Sequence, residues 1–329
     1  MMAEKSCHDH SPVVSVIMPT YNQAGFIGKA IESVLLQSED DLELIIIDNN
    51  STDRTKEVIL SHSDSRIQYL NFQNNGIIAA SRNAGIIKAK GKYIAFLDSD
   101  DYWDPTKLKQ QLIQFRDDHI VGVASRATLI GEKIYYREQR EYDVKSEFTD
   151  LDYQSLLNNN QVITSSMVVR ATALSQSNFF NENPDFICFE DWDLWLQLAK
   201  LGKIRILTNK LIHYFVSRKR GESYCLVAEN MTKLMAKERD EKFLPALYYR
   251  EPLNQVFLTI ARSYLQYDTK KSREYYWRTL TGTACIRKRL KALLGLLICC
   301  IPSKLSQKVL FGLYNIEHAL TFLRSRIRV

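Results

Sequence analysis

Short, mostly apolar runs alternate with helix-period segments through the first third of this 329-residue chain. Val13 to Met18 is β-rich and stops at Pro19; Gly25 to Leu36 follows, with Phe26, Ile27, Ala30, Ile31, Val34 and Leu35 at helical spacing. Leu42 to Ile47 ends at Asp48, Ser51-Thr52-Asp53 can cap a helix reaching about His62, and Ile67 to Leu70 is a short strand. Ile77 to Ala89 is helical, Gly91 closes it, and Tyr93 to Leu97 then delivers Asp98. A strand with no polar face must be covered on both sides, so the alternation predicts a parallel, doubly wound α/β sheet with right-handed crossovers. Pro105 to Phe115 is the next predicted helix.

Past Asp118 the texture changes to shorter β-like pieces at Ile120 to Ala124, Ala127 to Ile130, Ile134 to Tyr136 and Val162 to Arg170. These are expected to extend the first half as a mixed sheet and to supply the second wall of a cleft. Phe189-Glu190-Asp191-Trp192-Asp193 opens the amphipathic run Leu194 to Ala199, which stops at Gly202 and places two carboxylates at a helix N-terminus. Beyond about Tyr224 the pattern is mostly helical. The predicted organisation is a tail over 1–12, an α/β domain over 13–223 and a helical region over 224–329.

Asp98-Ser99-Asp100-Asp101 stacks carboxylates at the mouth of a buried strand, where open α/β sheets bind ligands. Hard divalent cations that carry substrate phosphates are held by one or two carboxylates plus phosphate oxygens, which suits an Asp-x-Asp tip. The competing reading is a turn whose Asp caps the helix after Pro105. Six cysteines without C-x-x-C spacing indicate neither a zinc site nor a disulfide framework, and a reducing compartment fits. The first ten residues lack the apolar core of a secretory signal, and His8 and His10 are read as part of a frayed tail.

The net charge of +6 is unevenly placed: from Lys270 onward thirteen lysines and arginines face only Glu274 and Glu317, so the remainder is net acidic. A basic, apolar C-terminal region suits an anionic membrane surface, each Lys or Arg near the leaflet contributing about 1 kcal/mol. Ala292 to Ile301 is too short to span a bilayer, and with Val309 to Leu313 it is expected to lie in the interface; a packed subdomain or dimer contact is the alternative. Nucleic acid is not the expected partner, because aromatics are not interleaved with the basic run as stacking platforms.

Five segments in order carry a resemblance: Val14-Ser15-Val16-Ile17-Met18-Pro19-Thr20-Tyr21-Asn22; Ile46-Ile47-Asp48-Asn49-Asn50-Ser51-Thr52-Asp53; Ser81-Arg82-Asn83-Ala84-Gly85; Phe96-Leu97-Asp98-Ser99-Asp100-Asp101; and Phe189-Glu190-Asp191-Trp192. Together, over roughly residues 13 to 223, they resemble the family 2 glycosyltransferases. The resemblance implies a GT-A fold, a Rossmann-like nucleotide-binding mixed sheet flanked by helices, here with a basic helical C-terminal extension. It implies donor contacts from Thr20, Tyr21, Asn22, Asp48, Asn49, Arg82 and Asp98: the Tyr21 ring against a base, Asp48 on ribose hydroxyls or a base N–H, and Arg82 on the diphosphate. Asp100 is the expected direct ligand of Mn²⁺ or Mg²⁺, Asp98 meets the ribose or the metal through water, and Asp101 is structural. Asp191 matches the general base, with Glu190 orienting the site. A helix N-terminus lowers a carboxylate pKa, so this base is expected to rely on position more than basicity.

Trp192 is the candidate acceptor-stacking residue; at helical spacing, core packing is the competing role for both Trp192 and Trp195. The chain departs from the family pattern where Asn49 replaces a second acid, which leaves uracil, thymine and guanine open as donor bases, and where Ser217 stands in place of a histidine. Arg218 or Arg220 is expected to serve the diphosphate from a lid, and His213 reads as a strand residue. The Gln-x-x-Arg-Trp signature of processive synthases is absent, so single-sugar transfer is expected.

The reading is therefore an inverting, metal-dependent transferase moving one sugar from a nucleotide-diphosphate donor to a hydroxyl of a glycan or lipid-linked glycan. It is placed in surface polysaccharide or glycolipid assembly, in the cytoplasm and peripheral to the inner membrane face, with a homodimer left open. A sugar nucleotidyltransferase is the runner-up, but Pro19 to Gly25 holds one glycine and no basic residue. A degenerate binding homologue is the third reading.

Overall fold

The computed structural model describes residues 11–131, 146–216, 224–241, 243, 252–254, 256–258, 260–261, 269–283 and 285–300. They divide into two compact units, one of 11–131, 146–156 and 160–216, the other of 157–159 and the described residues beyond 217.

The first unit opens with the alternation read from the sequence: β1 (Val14–Thr20), α1 (Ile27–Leu35), β2 (Leu42–Asp48), α2 (Thr55–Leu60), β3 (Ile67–Asn71), α3 (Ile78–Lys88) and β4 (Tyr93–Phe96). Every residue of β1, β2 and β4 is buried, as strands covered on both faces require. Helix α1 turns Ile27, Ala30, Ile31 and Val34 inward, a single apolar stripe. Helix α3 comes closer to the sheet than a side chain would permit. A Cβ on Gly85 would lie 2.6 Å from Ile17 Cγ2 and 2.7 Å from Ile47 Cδ1, so the glycine is what lets α3 settle over β1 and β2.

There follow β5 (Tyr102–Trp103), α4 (Lys107–Leu112), β6 (Ile120–Gly131), β7 (Phe148–Leu151), α5 (Tyr153–Asn158), β8 (Val168–Arg170), α6 (Ala171–Ser175), α7 (Glu190–Ala199) and β9 (Lys203–Val216). The sheet runs β3-β2-β1-β4-β8-β6-β9-β5, with β7 also on β9. β1 to β4 are mutually parallel where paired, and β8 returns antiparallel to β4. The sheet is thus mixed, as expected of the second half.

Several boundaries differ from the sequence reading. The pieces at 120–124 and 127–130 are one strand, β6, irregular in register around Ser125 to Ala127. Of the β-like run 162–170 only Val168–Arg170 is strand; Thr164–Ser166 forms a 3₁₀ turn. The segment Ile134 to Tyr136 lies outside the described residues.

In the second unit the helices are α8 (Tyr224–Glu241), α9 (Thr269–Gly282) and α10 (Ile286–Ile298). Tyr276 of α9 packs with Ala292, Ile298 and Cys299, and a Cβ on Gly295 would overlap the Tyr276 ring, so one face of α10 is buried on α9. No described helix is long and apolar enough to cross a membrane.

Candidate active site

Parallel pairing puts strand ends on a common edge. Thr20 is opposite Asp48, Asp48 is opposite Asn71, and Leu97 N–H donates to Ile17 O at 3.1 Å, so the tips carrying Thr20, Asp48 and Asp98 line one carboxyl edge.

At the β1 tip, Tyr21 is 53% exposed and available to a ligand, whereas Thr20 is buried and its Oγ1 has no partner among the described residues. Asn22 adopts φ 51°, its N–H donates to Ser51 Oγ, and its Oδ1 accepts from Thr52 N–H at 2.8 Å. It therefore ties the first two strand tips together. Asp48 is buried and engaged on both oxygens: Oδ1 accepts from the Ser51 N–H and hydroxyl, and Oδ2 from the Tyr69 hydroxyl at 3.0 Å. Burial and that hydrogen bond push Tyr69 up to about 12. Asn49 Oδ1 accepts from Asn74 N–H, leaving the carboxamide NH₂ as the group it can offer a base.

At the β4 tip the helix-capping alternative is settled by Asp104, not by the acidic run. Asp104 Oδ1 accepts from Thr106 N–H and Oγ1, and Asp104 O accepts from Lys107 N–H, starting α4. Asp98 and Asp100 are half-buried, while Asp101 is 1% exposed. Asp101 Oδ2 accepts from Ser165 Oγ and Oδ1 from Phe215 N–H of β9, a structural clamp as expected. Burial, then the charges of Asp100 and Asp98, hold its carboxyl well above the usual carboxylate range. A loop crowded with negative charge, two of whose carboxylates reach solvent, fits a hard divalent cation that completes its shell with water and phosphate oxygens. Among the described residues no three His, Cys, Asp or Glu side chains converge as a full cage.

Arg82 is 3% exposed rather than presented to solvent. Its Nη2 donates to Asp98 Oδ1 and its Nη1 to Glu190 Oε1, each at 2.8 Å, while Nε has no partner among the described residues. Both terminal nitrogens, expected at the diphosphate, here form an internal bridge from the acidic tip to α7. The two flanking carboxylates raise Arg82 further, against the effect of its burial, so it is a permanent cation. Asn83 pins the segment leading to α7 through Phe180 and Glu182, donating from Nδ2 to Phe180 O at 2.9 Å.

Asp191 accepts from Thr164 Oγ1 through Oδ2 at 2.9 Å and from Trp192 N–H through Oδ1. The lowered pKa expected from the helix N-terminus is corrected: burial and the neighbouring Glu190 charge push Asp191 up to about 7, outweighing Arg82 and its hydrogen bonds. That is a useful pKa for a base near neutral pH. Trp192 is also corrected. It is 5% exposed, and its indole N–H donates to Leu156 O, so it is core and offers no face to a sugar. Trp195 is wholly buried among Phe96 and Phe180.

His213 lies in β9 and stacks on Tyr102 at 4.3 Å, with burial and Lys29 lowering its pKa. Ser217, Arg218 and Arg220 lie outside the described residues. Sequence reasoning passed over Thr164 and Ser165, whose hydroxyls meet Asp191 and Asp101. The available signal was a Thr-Ser-Ser break inside an otherwise apolar run.

The model of Glycosyl transferase family 2 matches residues 15–178. WfaP of Escherichia coli, a "UDP-Glc:alpha-D-GlcNAc-diphosphoundecaprenol beta-1,3-glucosyltransferase", is 31% identical over 206 residues, 62% of this chain and 76% of that protein. The chain belongs to glycosyltransferase family 2. WfgD of Escherichia coli, of the same description, is 29% identical over 268 residues, 79% of this chain and 98% of its own length. An uncharacterized glycosyltransferase of Rickettsia felis is 37% identical over 204 residues, and this chain spans 32% of its length.

The fold of this family 2 enzyme is shared with Staphylococcus aureus TarS 1-349, at TM-score 0.61 and 14% identity, covering 87% of this chain and 89% of that one. It is likewise shared with the mannosyltransferase PcManGT of Pyrobaculum calidifontis, in complex with GDP-Man and Mn²⁺, at TM-score 0.59 and 17% identity, covering 90% and 83%. The architecture is GT-A.

Proposed function

We propose that this glycosyltransferase moves a single hexose from a UDP-sugar, with inversion, to a hydroxyl of a lipid-linked glycan in polysaccharide biosynthesis. The observation that carries the reading is the placement of the acidic tip at Asp98 and the raised carboxyl of Asp191 on one edge, joined through Arg82 and Glu190. The donor class is taken from WfgD and WfaP, both described as UDP-Glc enzymes forming a beta-1,3 linkage. UDP-glucose is an α-glycoside, so a β product calls for one in-line displacement.

Tyr21 offers its ring face to the base, and the Asn49 NH₂ offers a donor to a base carbonyl. Asp98 and Asp100 would hold Mn²⁺ or Mg²⁺, which when bound offsets charge on the departing nucleoside diphosphate. Asp191 takes the proton from the acceptor hydroxyl as that oxygen attacks C1 from the face opposite the diphosphate. Glu190 holds Arg82 in place behind it, and the fixed positive charge of Arg82 lets the carboxylates coexist in a buried site.

The enzyme works at a membrane surface. Ile286, Leu290, Leu293, Leu294 and Leu297 form one stripe of α10, each 41% to 72% exposed, opposite the face packed on α9. Arg289 borders it, and Lys288 and Lys291 lie elsewhere on the same helix, so the helix offers an anionic leaflet both apolar surface and positive charge.

The test is thermal stabilisation by UDP, GDP, TDP and CDP, each with Mn²⁺, Mg²⁺ or EDTA, on wild type and Asp100→Ala, followed by UDP-glucose transfer to a GlcNAc-diphospholipid. Stabilisation by UDP that needs the cation and vanishes in the variant supports the reading. Preference for another base overturns the donor class, and a response indifferent to cation and to Asp100 overturns the metal site.

A further inference from the structure

The first strand residue of β8 lies beside the end of β4 because the two strands are antiparallel: Ala95 is opposite Val168, and Phe96 N–H donates to Met167 O at 3.1 Å. The turn that precedes β8, Thr164–Ser166, is thereby brought to the edge carrying Asp98. It is held from below by backbone acceptors: Ser165 O accepts from Trp103 Nε1 at 2.7 Å, and Ser166 O from Gln111 Nε2 at 2.9 Å. Its two side chains point in different chemical directions. Thr164 Oγ1 donates to Asp191 Oδ2, while Ser165 Oγ donates to Asp101 Oδ2 and accepts from Asp98 N–H at 3.1 Å.

With the Asp98–Arg82–Glu190 bridge, these bonds close a ring that passes from Asp98 through Arg82, Glu190 and Asp191 to Thr164 and Ser165, and back to Asp98. We infer that Thr164 and Ser165 are positioning residues of the transfer, one rigid turn whose adjacent hydroxyls fix the aim of the Asp191 carboxylate and its distance from the acidic tip. The inference rests on the assignment of Asp191 as base. The groups facing Asp191 are Glu190 and Arg82 as charges and Thr164 and the Trp192 N–H as donors. Of these only the Thr164 hydroxyl comes from a separate segment of chain and can be deleted without altering a charge.

Thr164→Val keeps the shape and removes the donor; Thr164→Ser keeps the donor. The first readout needs no substrate: titration of ¹³C-labelled aspartate carboxyls, with Asp191 assigned by its disappearance in Asp191→Asn. Losing a hydrogen bond to the charged form raises the midpoint in Thr164→Val, and the serine variant returns it. In UDP-glucose transfer, kcat of Thr164→Val falls by about 10- to 100-fold, as loss of a bond to a charged group predicts, with KM for the donor little changed. A midpoint and kcat equal to wild type, or a serine variant as impaired as the valine one, would overturn the inference. If Asp191→Asn itself retains transfer, the base assignment fails; if it is inactive while Thr164→Val is silent, only this inference fails.

Discussion

Arg82 donates to Glu190 Oε1 at 2.8 Å across 108 residues of sequence, and with its other terminal nitrogen holds Asp98, so a helix packed over the parallel half of the sheet reaches both acidic segments of the site. Among the described residues, Arg82 is the one cation the two carboxylates share through direct hydrogen bonds. Arg82→Met leaves Glu190 and Asp98 without their shared cation and is expected to cost about 3–5 kcal/mol of stability. Arg82→Lys keeps charge but not the planar fork, so it should recover part of the stability and little of the transfer. Urea unfolding and UDP-glucose turnover on both variants check this, and a methionine variant as stable as wild type would contradict it.

Asp191, raised to about 7, must lose its proton to act. Transfer is therefore expected to climb as pH rises through about 7 and to fall away below it. The sign for stability is opposite. With the folded carboxyl raised above its unfolded value, the native state binds the extra proton between the ordinary carboxylate range and about 7, so this contribution is present at low pH and lost as pH rises through 7. Asp191→Asn should abolish transfer yet be more thermostable than wild type at pH 8, a gain that shrinks by pH 5. A melting-temperature series over pH 5 to 8 measures it, and equal losses at every pH would refute the assignment.

Gly85→Ala would push a methyl into Ile17 and Ile47 and is expected to destabilise by about 1–3 kcal/mol as overpacking. It should also weaken UDP binding, because α3 carries Arg82, which holds Asp98 of the acidic tip. Gly28→Ala is the control: its Cβ would meet only Val58 Cγ1 at an ordinary 3.5 Å, and in α1 alanine is favoured by up to about 1 kcal/mol. Denaturation midpoints that fail to separate the two substitutions would show that the close approach is not required.

Leu290→Glu with Leu294→Glu places charge on the exposed stripe of α10 without touching the face on α9. Sedimentation with phosphatidylglycerol-containing vesicles should drop by at least about tenfold, since burying each leucine contributes about 1.5–3 kcal/mol, while the melting temperature holds. Wild-type binding should weaken with salt, and its basic flank should make it prefer anionic over neutral vesicles. If the double variant sediments like wild type, the stripe is not the docking face; a concentration-dependent change in mass would assign it to self-association instead.

The β1–β4 alternation and its acidic tips were readable because their cause is local. A strand buried on both faces spells itself out as a run that is apolar almost throughout, broken within β1 and β2 only by the mutually bonded Ser15 and Glu43, and a ligand edge shows where the run turns acidic, as at Asp48 and Asp98. β5 and β7 were not readable, β5 being two residues long and β7 having polar Thr149 and Asp150 at its centre, and β9 takes its length from pairing with β6, β7 and β5.

The sequence alone determined the chemistry available to this enzyme: carboxylates at strand ends, a Glu-Asp pair opening a helix, and a motif order that resembles one family. The tertiary structure decided what each group does, because burial and partners come from distant segments. It made Arg82 an internal counter-ion to Asp98 and Glu190, withdrew Trp192 into the core, and raised Asp191 where a helix terminus alone would lower it. It also brought Thr164 to Asp191, a contact fixed by the antiparallel return of β8 along β4 and invisible to any local pattern.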